Sequence, residues 1–86
     1  MLTIESPEFQ SLIGESAALR GRGQFSEAMA LIKSRLDDME DDCLTNAYLE
    51  IFYAAAEAGL LDEARMYARM LNAREPGLPS VQVYLA

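Results

Sequence analysis

Eighty-six residues, 51% of them hydrophobic, suffice for one small globular domain spanning 1–86 and not for two, because a chain this short buries only ~60–65% of its unfolded surface. A formal charge of −7 surrounds it with a field that repels nucleic acid and anionic lipid, which argues against partners of either kind. No stretch reaches the ~20 apolar residues of a membrane span, and Met1 to Glu8 lacks the basic and apolar regions of a signal peptide, so the expected location is the cytoplasm.

Helix signals begin at Ser6-Pro7-Glu8: a hydroxyl cap, a proline at the first helical position, and an acid favoured by the dipole. Phe9, Leu12, Ile13, Ser16 and Leu19 then recur at three- and four-residue steps, and Gly21-Arg22-Gly23 stops this first helix. Ser26 is the expected cap of a second helix, on which Ala28, Leu31, Ile32 and Leu36 face one way and Met29 and Met39 lie near the edges. The acidic run from Asp37 to Asp42 suits a loop, since carboxylates disfavour a helix C-terminus and favour the N-terminus that follows. A third helix is expected from Leu44 to Ala58, with Leu44, Ala47, Tyr48, Ile51, Phe52 and Ala55 as its main stripe. Gly59 ends it. Asp62 is the expected cap of a fourth helix carrying Ala64, Tyr67, Ala68 and Leu71 inward, which Glu75-Pro76-Gly77 terminates. Pro79-Ser80 is the expected start of a short last helix that runs through Val81 to Leu85. The fold class is all-α: two antiparallel helical hairpins plus a short C-terminal helix.

Much chemistry is missing. There is no histidine, and the single cysteine, Cys43, excludes both an internal disulfide and a thiolate metal cluster. A lone thiol beside a helix start reads as a small apolar residue in a reducing compartment. Gly21-Arg22-Gly23 lacks the Lys-Ser/Thr and the preceding strand of a phosphate loop. The acidic run lacks the spacing and central glycine of a calcium loop and reads as a solvated turn. No cofactor, metal or catalytic residue is expected, and the chain is not read as an enzyme.

The two halves echo each other. Gly23-Gln24-Phe25-Ser26-Glu27-Ala28 aligns with Gly59-Leu60-Leu61-Asp62-Glu63-Ala64, each followed four residues on by an apolar position, Ile32 or Ala68. Self-similarity at this spacing marks a solenoid unit. Here the chain resembles the tetratricopeptide repeat family. The second unit matches through Tyr48, Ile51, Ala55, Gly59, Leu61, Ala64, Ala68, Leu71 and Pro76; the first through Leu12, Ser16, Leu19, Gly23, Phe25, Ala28 and Ile32. Glu15, Phe52 and Glu40 depart from the family's apolar, small and proline positions, and the acidic loop lengthens the period beyond the usual ~34 residues. A generic four-helix bundle is the alternative architecture.

The resemblance implies a ligand along the concave face of the first helix of each unit: Gln10, Ile13, Ala17 and Arg20, then Asn46, Leu49, Tyr53 and Glu57. The family's carboxylate clamp is absent there. An apolar strip with polar ends remains, suited to an amphipathic helix or an extended apolar peptide, unless Leu49 and Tyr53 simply pack against Val81 to Leu85. A second surface, Met66, Met70 and Ala73 on the fourth helix, is either capped by the last helix or covered by another copy or a partner. The expected role is an adaptor or small chaperone for another protein; a self-associating scaffold is the alternative.

Overall fold

A computed structural model describes residues 1–85. It contains α1 (Pro7–Gly21), α2 (Phe25–Lys33), α3 (Leu44–Glu57), α4 (Leu61–Arg74) and α5 (Pro79–Gln82). The architecture is all-α, with α1 packed on α2, α3 packed on α4, and the two hairpins joined through α2 against α3. The shortest dimension is 19 Å, two helix layers and no more. Among the described residues no helix is long and apolar enough to cross a membrane.

The start of α1 follows the sequence. Ser6 Oγ accepts from the Phe9 amide at 3.2 Å, and Pro7 occupies a position whose missing N–H costs nothing. The hairpin turns are near copies of each other. Gly23 and Gly59 sit at φ +77° and +76°, a region only glycine enters without strain. In the first turn the Gly23 amide donates to Arg20 O and the Gln24 amide to Leu19 O; in the second, Gly59 donates to Ala56 O and Leu60 to Ala55 O. Both are Schellman closures.

These closures correct the expected caps. The second and fourth helices start at Phe25 and Leu61, with Gln24 and Leu60 as N-caps and no side-chain capping bond at either. Ser26 and Asp62 lie inside the first turn instead. The residue that completes each Schellman motif also supplies the first carbonyl of the next helix, to Ala28 or Ala64, leaving no room for a separate cap. Two other boundaries differ: α3 ends at Glu57, one residue early, and α5, which starts at Pro79 as expected, ends at Gln82 rather than Leu85.

The buried side chains form one cluster. Phe9, Ala28, Ile32, Ala47, Ile51, Ala54, Ala55, Ala64, Ala68, Leu71 and Val81 are fully enclosed. Alanine recurs where helices cross because a methyl lets two backbones approach within ~8–10 Å. Met29, expected at an edge, is buried, because α2 is packed by α1 on one side and α3 on the other. Phe52 at a normally small position is accommodated by Tyr84, which meets its ring edge-on at 5.2 Å.

The acidic segment is more ordered than a solvated loop. α2 stops at Lys33, so Leu36 and Met39 leave the helix; 3₁₀ turns at Leu36–Asp38 and Asp41–Cys43 flank extended backbone at Met39 and Glu40. The N-terminal segment clasps this stretch. The Leu2 amide donates to Asp38 O at 2.6 Å, and the Glu40 amide donates to Leu2 O at 2.8 Å, a parallel bridge between Leu2 and Met39. Cys43 Sγ donates to the same Leu2 carbonyl at 3.3 Å, and Leu2, Met39 and Cys43 are all buried.

Burial is the main cause pushing the Cys43 thiol above its usual range, and the nearby Asp42 adds to it. The native thiol is therefore expected to resist a disulfide reagent, and Leu2→Asp to speed its labelling roughly tenfold or more while helix content by circular dichroism is retained. An unchanged labelling rate in the variant would show that the N-terminal segment does not gate the thiol.

Candidate functional site

Helical spacing places Gln10, Ile13, Ala17 and Arg20 along one face of α1, and Asn46, Leu49, Tyr53 and Glu57 along one face of α3. The two helices pack directly. Ile13, Leu49 and Tyr53 are half-buried and rest against the core, while Ala17 is exposed. These four are the apolar members of the face expected from the sequence, two on each helix. Arg20, Tyr53 and Glu57 are brought into contact; Gln10 is not part of that group, because its Nε2 donates to Ile4 O at 2.7 Å and ties α1 to the N-terminal segment.

The polar end of the strip is already partnered. Arg20 Nη1 donates to Glu57 Oε1 at 2.9 Å, and Nη2 reaches Glu50 Oε2 at 3.4 Å. Its guanidinium lies 5.1 Å from the centre of the Tyr53 ring, in cation–π range. Its Nε is buried with no hydrogen-bond partner among the described residues. Glu50 also accepts from the Ser16 hydroxyl at 3.0 Å, and both groups are buried. A ligand at this end must work beside an ion-pair network already formed through Arg20 Nη1 and Nη2 rather than recruit free charges.

The sequence does not announce this network: Ser16 falls on the apolar stripe of α1, and no residue near Glu50 in the chain marks its partner. The usable signal was position. Glu50 sits on the arc of α3 shared by Ala47, Ile51 and Ala54, and a carboxylate on a buried arc needs a donor opposite.

The C-terminal segment forms the next wall beyond α3. Val81 is fully buried, and Tyr84 meets Phe52, the neighbour of Tyr53. Tyr53 itself takes Arg20 over its ring and Phe52 at 5.7 Å.

Acidic side chains elsewhere find cations. The Arg74 guanidinium grips Asp41 through both carboxylate oxygens at 3.1 Å and its carbonyl at 2.8 Å, holding that carboxyl below its usual range. Asp38 and Glu8 share Arg35. Among the described residues no group of three or more potential metal ligands converges.

On α4, Met66 is 46% exposed, Ala73 is exposed and Met70 is half-buried against the core. α5 lies on this helix at a different flank, where Gln82 Nε2 donates to Asn72 Oδ1 at 3.0 Å. The last helix therefore leaves Met66 uncovered.

No family model matches the chain, and no curated protein or solved structure matches it.

Proposed function

We propose that the chain is a small protein-binding module of the tetratricopeptide-like kind, an adaptor or chaperone that receives an amphipathic helix or an extended apolar segment of a partner along α1 and α3. The observation supporting this reading is the strip of Ile13, Ala17, Leu49 and Tyr53, apolar yet not closed over by the rest of the chain. Half-buried aliphatic and aromatic side chains on fixed helices bind with little ordering cost, since packing already fixes their rotamers. The paired Arg20 and Glu57 bound the strip at one end and limit how far an apolar ligand extends. A cytoplasmic setting belongs to the same reading, which a single thiol fits.

The test is capture from the native host by tagged protein, with mass-spectrometric identification, comparing the parent with Leu49→Asp and Tyr53→Ala. Recovery of the captured partner is expected to fall roughly tenfold or more in both variants, because truncating or charging an interface anchor costs about 2 kcal/mol or more. Undiminished capture by folded variants assigns the partner to another surface.

A further inference from the structure

We propose that the outer face of α4 is a docking site for an acidic, amphipathic helix of a partner protein, laid against α4 as α3 is laid against α2. This surface is separate from the α1–α3 strip.

At about 100° per residue, Leu61, Asn72, Arg65 and Arg69 fall within an arc of about 80° on α4. α5 covers the C-terminal end of this arc, where Gln82 Nε2 donates to Asn72 Oδ1. Towards the N-terminal end Leu61 is 50% exposed, and Arg65 and Arg69 are exposed one turn apart. Among the described residues neither arginine takes part in an ion pair, whereas Arg20, Lys33, Arg35 and Arg74 all do. Asp62 borders the arc on its outer side, one turn from Arg65, and pairs with neither arginine.

The first hairpin shows what such a face receives. Aligning Gly23 with Gly59 sets Arg65 at the place of Met29 and Arg69 at that of Lys33. There the face is closed: α3 packs on α2, Met29 and Ile32 are buried, and Lys33 Nζ reaches Glu63 Oε2 of the following hairpin at 3.0 Å. A cation at this place takes its carboxylate from the next helical layer. On α4 a second arginine replaces the buried methionine, so the helix received there needs two acids. Acids at i and i+4 of that helix meet guanidinium groups at i and i+4, about 6 Å apart along the axis, while its apolar stripe rests on Leu61. α1, α3 and α5 begin at Pro7, Leu44 and Pro79, nearly even steps, so α5 already holds the first turn of the same seat and the open part lies beyond it. A basic helix would face two like charges. A wholly apolar one would cover both guanidinium groups without a counter-charge.

The probes are three dye-labelled model helices of about 18 residues, long enough to hold helix, with one leucine stripe flanked at i and i+4 by Glu, Gln or Lys. Fluorescence anisotropy is expected to rank the Glu peptide tightest, roughly tenfold or more ahead of Gln, with Lys weakest. The net charge of −7 taken alone gives the reverse order, so the ranking isolates the local arginines. Arg65→Glu combined with Arg69→Glu should invert it in favour of the Lys peptide. Both positions are exposed, and circular dichroism checks that the fold is kept. Leu49→Asp should leave the ranking unchanged. A Glu peptide that binds no better than Gln, or that ignores the arginine reversals, overturns the proposal. Loss of binding in Leu49→Asp alone assigns the peptide to the α1–α3 strip and overturns it too. So does light scattering that shows a dimer abolished by the arginine reversals, which makes a second copy the occupant.

Discussion

Phe52→Ala is expected to lower the unfolding free energy by about 3–5 kcal/mol, the usual cost of emptying a buried aromatic site. The parent ring is 1% exposed and touches both Tyr53 and Tyr84. A domain of this length holds only about 4–13 kcal/mol in total. The loss should therefore appear as a fall in thermal midpoint of roughly 15–30 °C. The substitution also removes the ring against which Tyr84 is set, so limited proteolysis should cut the C-terminal segment first in the variant. A thermal shift of only a few degrees would mean that the surrounding side chains collapse into the space, and that the tail does not depend on this ring.

The second large effect concerns Glu50. Glu50→Ala is expected to cost about 2–4 kcal/mol, because it leaves the Ser16 hydroxyl buried and unpaired and removes one of the two carboxylates facing Arg20. The figure lies below that of a fully enclosed pair because the Arg20 side chain is 19% exposed and keeps Glu57. Asymmetry gives the sharper check. Ser16→Ala combined with Glu50→Leu removes donor and acceptor together, and should be less destabilising than Glu50→Ala alone. Chemical denaturation of the three proteins measures both quantities. Equal losses in the single and double variants would remove any stabilising role from the Ser16–Glu50 bond.

The repeated turns were legible because glycine at a left-handed position and alanine at a helix crossing are local requirements. Gly23, Gly59, Ala28 and Ala64 declare themselves by residue type, and the inward stripe of α4 follows from spacing alone. What the sequence hid was long-range. Ser16 and Glu50 are 34 positions apart, and nothing near either says that they meet. Met29 was misjudged because reading one apolar face assumes one packed side, whereas α2 is packed on two. Ser26 and Asp62 were good cap residues in the wrong place: the Schellman turn leads straight into the next helix. The strip on α1 and α3 was legible residue by residue. The pairing of Arg20 with Glu57 and Tyr53 was not, since it depends on how the two hairpins are offset.

The bridge made by Leu2 bears on the order of folding. Each hairpin brings together helices that are neighbours along the chain, and such short-range topologies form in microseconds to milliseconds. The Leu2 carbonyl instead meets a thiol 41 positions away, so its ends must find one another across a long intervening loop whose closure is opposed by entropy. Residues 1–5 should consequently dock after both hairpins exist and detach before either melts. A nascent or partly unfolded molecule would thus expose Met39 and Cys43 while its helices were still intact.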